Sequence, residues 1–195
     1  MAISLEKGQK VSLTKDAPSL NEICVGLGWQ ANKSRGLFGG GGTYDLDASA
    51  IICRNGKLRT SKDVCYYGNK NKFGDPVYHH GDELVGGDGS GDEEQISIRL
   101  SALDSDVDRI IIIVNIYDAR HKKQSFADVK KAFMRLVDEN NGTEMYRYNL
   151  SDGSVGDVSS LIFGELYKKD GEWKFNAIGQ GVKEDKIKDI AALYM

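Results

Sequence analysis

The sequence predicts a mainly β protein: a β-sandwich of antiparallel sheets with a few short helices, one of them at the C-terminus. Three observations predict it. Short runs with two-residue alternation recur along the chain, as at residues 95–100, where Ile96, Ile98 and Leu100 share one face. Asn-Gly or Asp-Gly pairs at 55–56, 141–142 and 170–171 supply the residues that reverse a hairpin. Helical periodicity is confined to brief segments, which argues for packed sheets over a helical bundle.

Taken in order, residues 10–14 and 22–29 alternate as strands, with Pro18, Ser19 and Asn21 as turn signals between them. Residues 32–43 contain four consecutive glycines, Gly39 to Gly42, whose entropy opposes regular structure and predicts a flexible loop. Residues 44–54 read as a long strand ended by Asn55-Gly56. Residues 60–80 show no period and read as an irregular connection. Strands follow at 95–100 and 109–118, and the second, apolar on both faces, marks the middle of the core. In residues 125–138, Phe126, Val129, Phe133, Leu136 and Val137 fit a helix with Ser125 and Asp128 as a capping box. The Asn141-Gly142 pair and the alternating TEMYRYNL beyond it need a strand partner, however. The expectation is one or two helical turns from Ser125, then a strand from about Ala132. Residues 160–168 and 172–179 form another hairpin around 169–171. Ile187, Ile190, Ala191 and Tyr194 give the closing segment a helical stripe.

With 195 residues, no internal repeat and no dividing linker, the chain reads as a single domain, residues 1–195. A net charge of −3 is mild and points neither to nucleic acid nor to an anionic membrane as a partner. Cys24, Cys53 and Cys65 form no CxxC pair and read as buried thiols rather than a disulfide framework or zinc site. The N-terminus has no secretory pattern and the longest apolar run, residues 110–114, is too short to span a bilayer, so the expected location is cytoplasmic. His79, His80 and His121 read as exposed loop residues. Gly26, Gly28 and Ala31 match the loose dinucleotide pattern, but no helix follows. No nucleophile and base pair can be argued, and the expectation is that the protein is not an enzyme.

The stretch that calls for chemistry is residues 81–94, GDELVGGDGSGDEE. It holds Asp82, Glu83, Asp88, Asp92, Glu93 and Glu94 with five glycines and no Lys or Arg. Carboxylates about 4 Å apart repel by about 1–4 kcal/mol, depending on the local dielectric. A hard cation removes that repulsion: Ca²⁺ takes oxygen ligands, and glycines let a loop turn its oxygens onto one point. The run leads into the strand at 95–100, which anchors it. Asp45 and Asp47, at i and i+2 in YDLDASA, add two carboxylates on one side of an extended chain. The flanking strands exclude an EF-hand, and the absence of a repeat excludes a calcium β-helix.

These blocks together resemble the TerD family of tellurite-resistance and stress proteins. The resemblance rests on GLGW at 26–29, YDLDASA at 44–50, the acidic stretch at 81–94, SFADVKKAF at 125–133, TEMYRYNL at 143–150 and FGELYKKDGEWKFNAIGQG at 163–181, in the family's order over nearly the whole chain. It implies a β-sandwich binding one or two calcium ions between the DLD strand and the acidic loop. It further implies no established enzymatic activity, and a part in a stress-response complex of partner proteins near the membrane. The family's acidic positions fall on Asp45, Asp47, Asp82, Asp88, Asp92 and Glu94, its upstream asparagine on Asn69, and Gly89 offers a backbone carbonyl. The chain departs from the family in the Gly39 to Gly42 insertion and in Lys131, where asparagine is more usual. The alternative reading is a metal-dependent hydrolase or phosphoryl-transfer enzyme using the same carboxylates around Mg²⁺, which would need a general base. The sequence gives no route for direct tellurite chemistry.

Overall fold

A computed structural model of the protein describes residues 2–30, 44–71, 74–81, 91–150 and 155–195. Among these residues, the alternating segments settle into two six-stranded sheets. One sheet contains β1 (Ile3–Leu5), β3 (Glu22–Gln30), β6 (Val77–His79), β7 (Glu94–Arg99), β9 (Lys130–Asp138) and β10 (Thr143–Asn149), in the order β1-β10-β9-β3-β7-β6. The other contains β2 (Lys10–Ser12), β4 (Leu46–Arg54), β5 (Val64–Cys65), β8 (Val107–Ile116), β11 (Ser160–Lys169) and β12 (Glu172–Val182), in the order β2-β12-β11-β8-β4-β5. The mainly β architecture is the expected one. Its pairings are antiparallel except that β1 lies parallel to β10, an arrangement that no hairpin signal could announce.

The two sheets share one apolar layer. Leu27, Ile96 and Met134 from the first sheet belong to the same buried cluster as Ala48, Ile112 and Phe163 from the second. A short helix α2 (Ala119–Lys122) follows β8, and a smaller cluster on the outer face of the second sheet packs Ile51, Ile111 and Ile113 against Ile190 and Ala191 of the C-terminal helix α3 (Ile187–Ala192). This explains why β8 is apolar on both faces: one face meets the first sheet and the other meets α3.

Turn chemistry holds at two of three hairpin signals. Asn55 and Gly56 take φ of 54° and 73°, and Asp170 and Gly171 take 56° and 80°, the left-handed pair that matches strand twist in a two-residue turn. Asn141-Gly142 behaves differently, because β9 stops at Asp138 and the connection has four residues. There the Asp138 carbonyl accepts the Gly142 N–H at 2.8 Å, and its carboxylate accepts Asn140 N–H at 3.0 Å and Asn141 Nδ2 at 2.8 Å. A side chain that caps the loop replaces the tight turn.

Three local expectations are corrected. The strand expected at 10–14 ends at Ser12 and gives way to the short helix α1 (Leu13–Asp16). The connection at 60–80 contains a 3-10 turn, Ser61–Asp63, and the edge strands β5 and β6, which are too short to show a period. After Ser125 the chain makes a single 3-10 turn, Phe126–Asp128, with no side-chain cap from Ser125, so the expected capping box does not form. β9 then begins at Lys130. The glycine insertion at 39–42 lies outside the described residues.

Lys131 has φ of 50°, a conformation costly for most L-residues and better tolerated by asparagine. Lys131→Asn should therefore raise stability by up to about 1 kcal/mol. Urea unfolding checks this, and an unchanged or lower midpoint contradicts it.

Candidate functional site

The alternation that buries Val25, Leu27 and Trp29 between the sheets turns Gly26 and Gly28 to the outer face of the first sheet. A Cβ at Gly26 would collide with the Asp92 carboxylate, and one at Gly28 with the Gly91 carbonyl and the Phe133 ring. The GLGW glycines thus make a bare strip on which the C-terminal end of the acidic stretch lies. Asp92, its side chain only 2% exposed, meets Arg135 in a fork: Nε to Oδ1 at 2.7 Å and Nη2 to Oδ2 at 3.0 Å. Gln95 Nε2 adds a third bond, to Oδ2 at 3.1 Å. Arg135 also reaches Glu144 at 3.1 Å, and Arg147 donates to Glu144 at 2.7 Å while stacking 4.0 Å over the Phe133 ring. The hydrogen bonds from Arg147 and Arg135 hold the Glu144 carboxyl below its ordinary pKa. Such bidentate, charge-assisted bonds fix position as well as contributing energy.

Glu94 goes to the opposite face. It pairs with Leu27, which is buried between the sheets, so its side chain points inward and is 2% exposed. There it meets the edge of β4. β5 covers that edge only at Ala50 and Ile51, and Ala48 lies one ladder step beyond its end. Glu94 Oε2 accepts the Ala48 N–H at 2.5 Å, and His79 Nε2 donates to the Ala48 carbonyl at 3.2 Å. Gly81 N–H donates to His79 Nδ1 at 3.1 Å, which leaves the ring hydrogen on Nε2, where the Ala48 bond requires it. Two side chains of the first sheet therefore stand in for the missing strand of the second. His79 is fully buried, which corrects its reading as an exposed loop residue, whereas His121 is exposed as expected.

Asp45 and Asp47 are also buried, at 6% and 2% exposure. Asp47 faces outward from β4 and accepts a bond from Asn115 Nδ2 at 3.1 Å. Asn69 donates Nδ2 to the Val64 carbonyl at 2.7 Å in the turn after β5. Of the residues singled out in the sequence, Glu94 reaches with its carboxylate the backbone N–H next to Asp47, whereas Asp92 and Glu94 are sent to opposite faces of one sheet. Asp82, Asp88 and Gly89 lie outside the described residues. Among the described residues, no group of three His, Cys, Asp or Glu side chains is placed to hold a metal ion. No helix among them is long and apolar enough to cross a membrane. The roles of Arg135, His79 and Asn115 were not visible in the sequence, because each depends on a partner distant in the chain.

The three cysteines are buried and unpaired with one another. Burial pushes the Cys24 and Cys65 thiols from 9.0 to about 12 and the Cys53 thiol to about 11. Protonated and enclosed, they lack thiolate reactivity.

The TerD domain matches residues 1–194. The chain is 43% identical to stress response protein SCP2 of Bacillus subtilis (strain 168) over 201 aligned positions, covering 100% of both chains. It is 45% identical to tellurium resistance protein TerD of Serratia marcescens, covering 93% of this chain and 91% of that one. The crystal structure of a TerD homologue from Streptomyces coelicolor A3(2) superposes with a TM-score of 0.67 at 18% identity, covering 91% of this chain and 99% of that one, and shows the fold alone.

Two measurements check this site. In chelator-treated protein, Glu94→Ala strands the Ala48 N–H and should destabilise by about 1–3 kcal/mol, and Glu94→Gln, which keeps an acceptor, by less. Equal unfolding midpoints for the two variants would contradict the edge-sealing role. The thiols should resist a disulfide reagent at pH 8 and react once the protein is unfolded. Because their folded pKa values are raised, their contribution to stability is complete below pH 9.0 and is lost as pH climbs through about 11 to 12, so denaturation midpoints should fall in that window.

Proposed function

The chain belongs to the TerD family, and from that premise we propose that it is a cytoplasmic calcium-binding module of the tellurium-resistance and stress-response type, acting through protein partners. One observation carries the calcium reading: the segments flanking residues 82–90 are both fastened at Ala48, immediately after Asp47. Gly81 is held through His79, and Glu94 bonds Ala48 itself. The two ends of the acidic stretch, Gly81 and Glu94, are thereby tied to the DLD strand. Asp45 and Asp47, with Asp82, Asp88 and the Gly89 carbonyl, would make an all-oxygen donor set, which fits a hard cation, and Glu94, bonded to the Ala48 N–H, would hold the end of the stretch beside them. Asn69, its Nδ2 given to Val64, has Oδ1 to contribute.

Asp92 takes another part. With both oxygens held by Arg135, it positions the end of the loop instead of serving as a ligand. Calcium, when bound, supplies the positive charge that offsets repulsion among the carboxylates. What the chain's own residues do is hold the loop ends in place from two directions, Asp92 against Arg135 on one face and Glu94 against Ala48 on the other. Partner proteins are favoured over catalysis because the relatives bear names of resistance and stress response, which describe a cellular outcome and not a reaction.

Calorimetric titration of chelator-stripped protein with Ca²⁺, repeated with Mg²⁺ as competitor, tests the reading. One or two saturable sites are expected, with a stabilisation of about 2.7 kcal/mol at a hundredfold excess over Kd. Asp45→Ala and Asp47→Ala should remove most of that gain, and Asp92→Asn should retain Ca²⁺ affinity. No heat with Ca²⁺, or tighter binding of Mg²⁺, would overturn it.

A further inference from the structure

A cavity of about 750 Å³ opens on the outer face of the second sheet, within the range of about 300–1,000 Å³ usual for small-molecule sites. Its floor is polar and buried: Asp47 and Asn115, bonded to each other at 3.1 Å, with Ser49 beside them, each under 9% exposed. The strand register continues that polar row, since Asn115 lies directly opposite Asp47 on one side and Ser160 on the other. The Ser160 hydroxyl is fully buried with no hydrogen-bond partner among the described residues. The wall is aromatic. Tyr66, Tyr67 and Tyr117 meet edge to face, with ring centroids 5.4 and 6.3 Å apart, and Tyr67 and Tyr117 remain 37% and 48% exposed. At the mouth stand Arg120, Lys186 and Lys188, with Lys122 Nζ 5.3 Å from the Tyr117 ring centre. The acidic residues of the mouth are engaged within the chain: Asp118 with His121 at 2.6 Å and Asp185 with the Ser159 hydroxyl.

We propose that this cavity binds a small nucleotide. Each of its three zones suits one part of such a ligand. Tyrosine faces stack on a base, an interaction that tolerates any base because every base has a π-face. A carboxylate and a carboxamide on the floor accept from and donate to sugar hydroxyls, as an acidic residue does for ribose in dinucleotide sites. Arg and Lys at the mouth take the phosphate. The alternatives match fewer zones: a cationic ligand would meet Arg120, Lys122, Lys186 and Lys188 against the carboxylates Asp47, Asp118 and Asp185, each of which already accepts a hydrogen bond within the chain, and a neutral sugar would leave the basic side chains without a counterpart. The ligand is a free nucleotide and not a nucleic acid strand, since the cavity is of small-molecule size and the chain carries a net charge of −3.

The site shares Asp47 with the calcium reading but does not depend on it, so the test is run both with chelator and with Ca²⁺. Titration calorimetry with AMP, GMP, CMP and UMP should show one saturable site for at least one of them, in either buffer. For that nucleotide, the nucleoside lacking phosphate and ribose 5-phosphate lacking the base should each bind at least about tenfold more weakly. Tyr117→Ala should weaken binding at least about fivefold, and Lys186→Ala with Lys188→Ala should do the same, with thermal midpoints unchanged because these residues are not in the core. Absence of binding to all four nucleotides in both buffers overturns the proposal. Equal binding of inorganic phosphate alone, or of the nucleoside alone, overturns it as well, as does full affinity in folded Tyr117→Ala protein.

Discussion

The unpaired edge of β4 at Ala48 is the constraint on which the arrangement of the site depends. A buried backbone N–H and C=O must find partners or cost free energy comparable to a lost hydrogen bond. β5 is two residues long and stops one step short of them. The partners come from the opposing sheet, as Glu94 and His79, so the bonds that complete one sheet also tie it to the other. Because these two residues border the acidic stretch, closing the edge also fixes where that stretch begins and ends. Stability and site placement rest here on the same pair of bonds.

The carboxylates of this chain divide according to what surrounds them. Asp92 lies on a strip of glycine with a guanidinium across from it, and its charge is satisfied inside the protein. Asp45 and Asp47 are buried at the start of β4, next to Ala48, where Glu94 and His79 close the edge. The GLGW glycines belong to the first group. They look like a nucleotide-binding fingerprint in the sequence, and their use is to let Asp92 and Phe133 approach the strand closely. The cavity on the second sheet is lined instead by tyrosines and by cations from the α3 side, and it draws only its floor from the DLD strand.

Membership of the TerD family accounts for the architecture and for the kind of process the chain serves. The chemistry that it performs there is carried by local placement. Burial holds the cysteine thiols above their ordinary pKa, which disfavours the thiolate that redox exchange needs.

The sequence by itself determined the mainly β class, the hairpins at Asn55-Gly56 and Asp170-Gly171, the two-faced apolar strand β8 and the helical stripe of α3. Each is a local pattern: alternation, a left-handed residue pair, or a helical period reports on neighbours within a few positions. The acidic stretch and the DLD pair were legible as composition for the same reason. Tertiary structure decided what local pattern cannot carry. It made Asn141-Gly142 a four-residue loop through the Asp138 carboxylate and set β1 parallel to β10, far from it in sequence. It buried His79 and turned Asp92 and Glu94, two positions apart, to opposite faces. Those outcomes depend on which strands become neighbours, and a strand's neighbours are chosen by the packing of the whole sandwich.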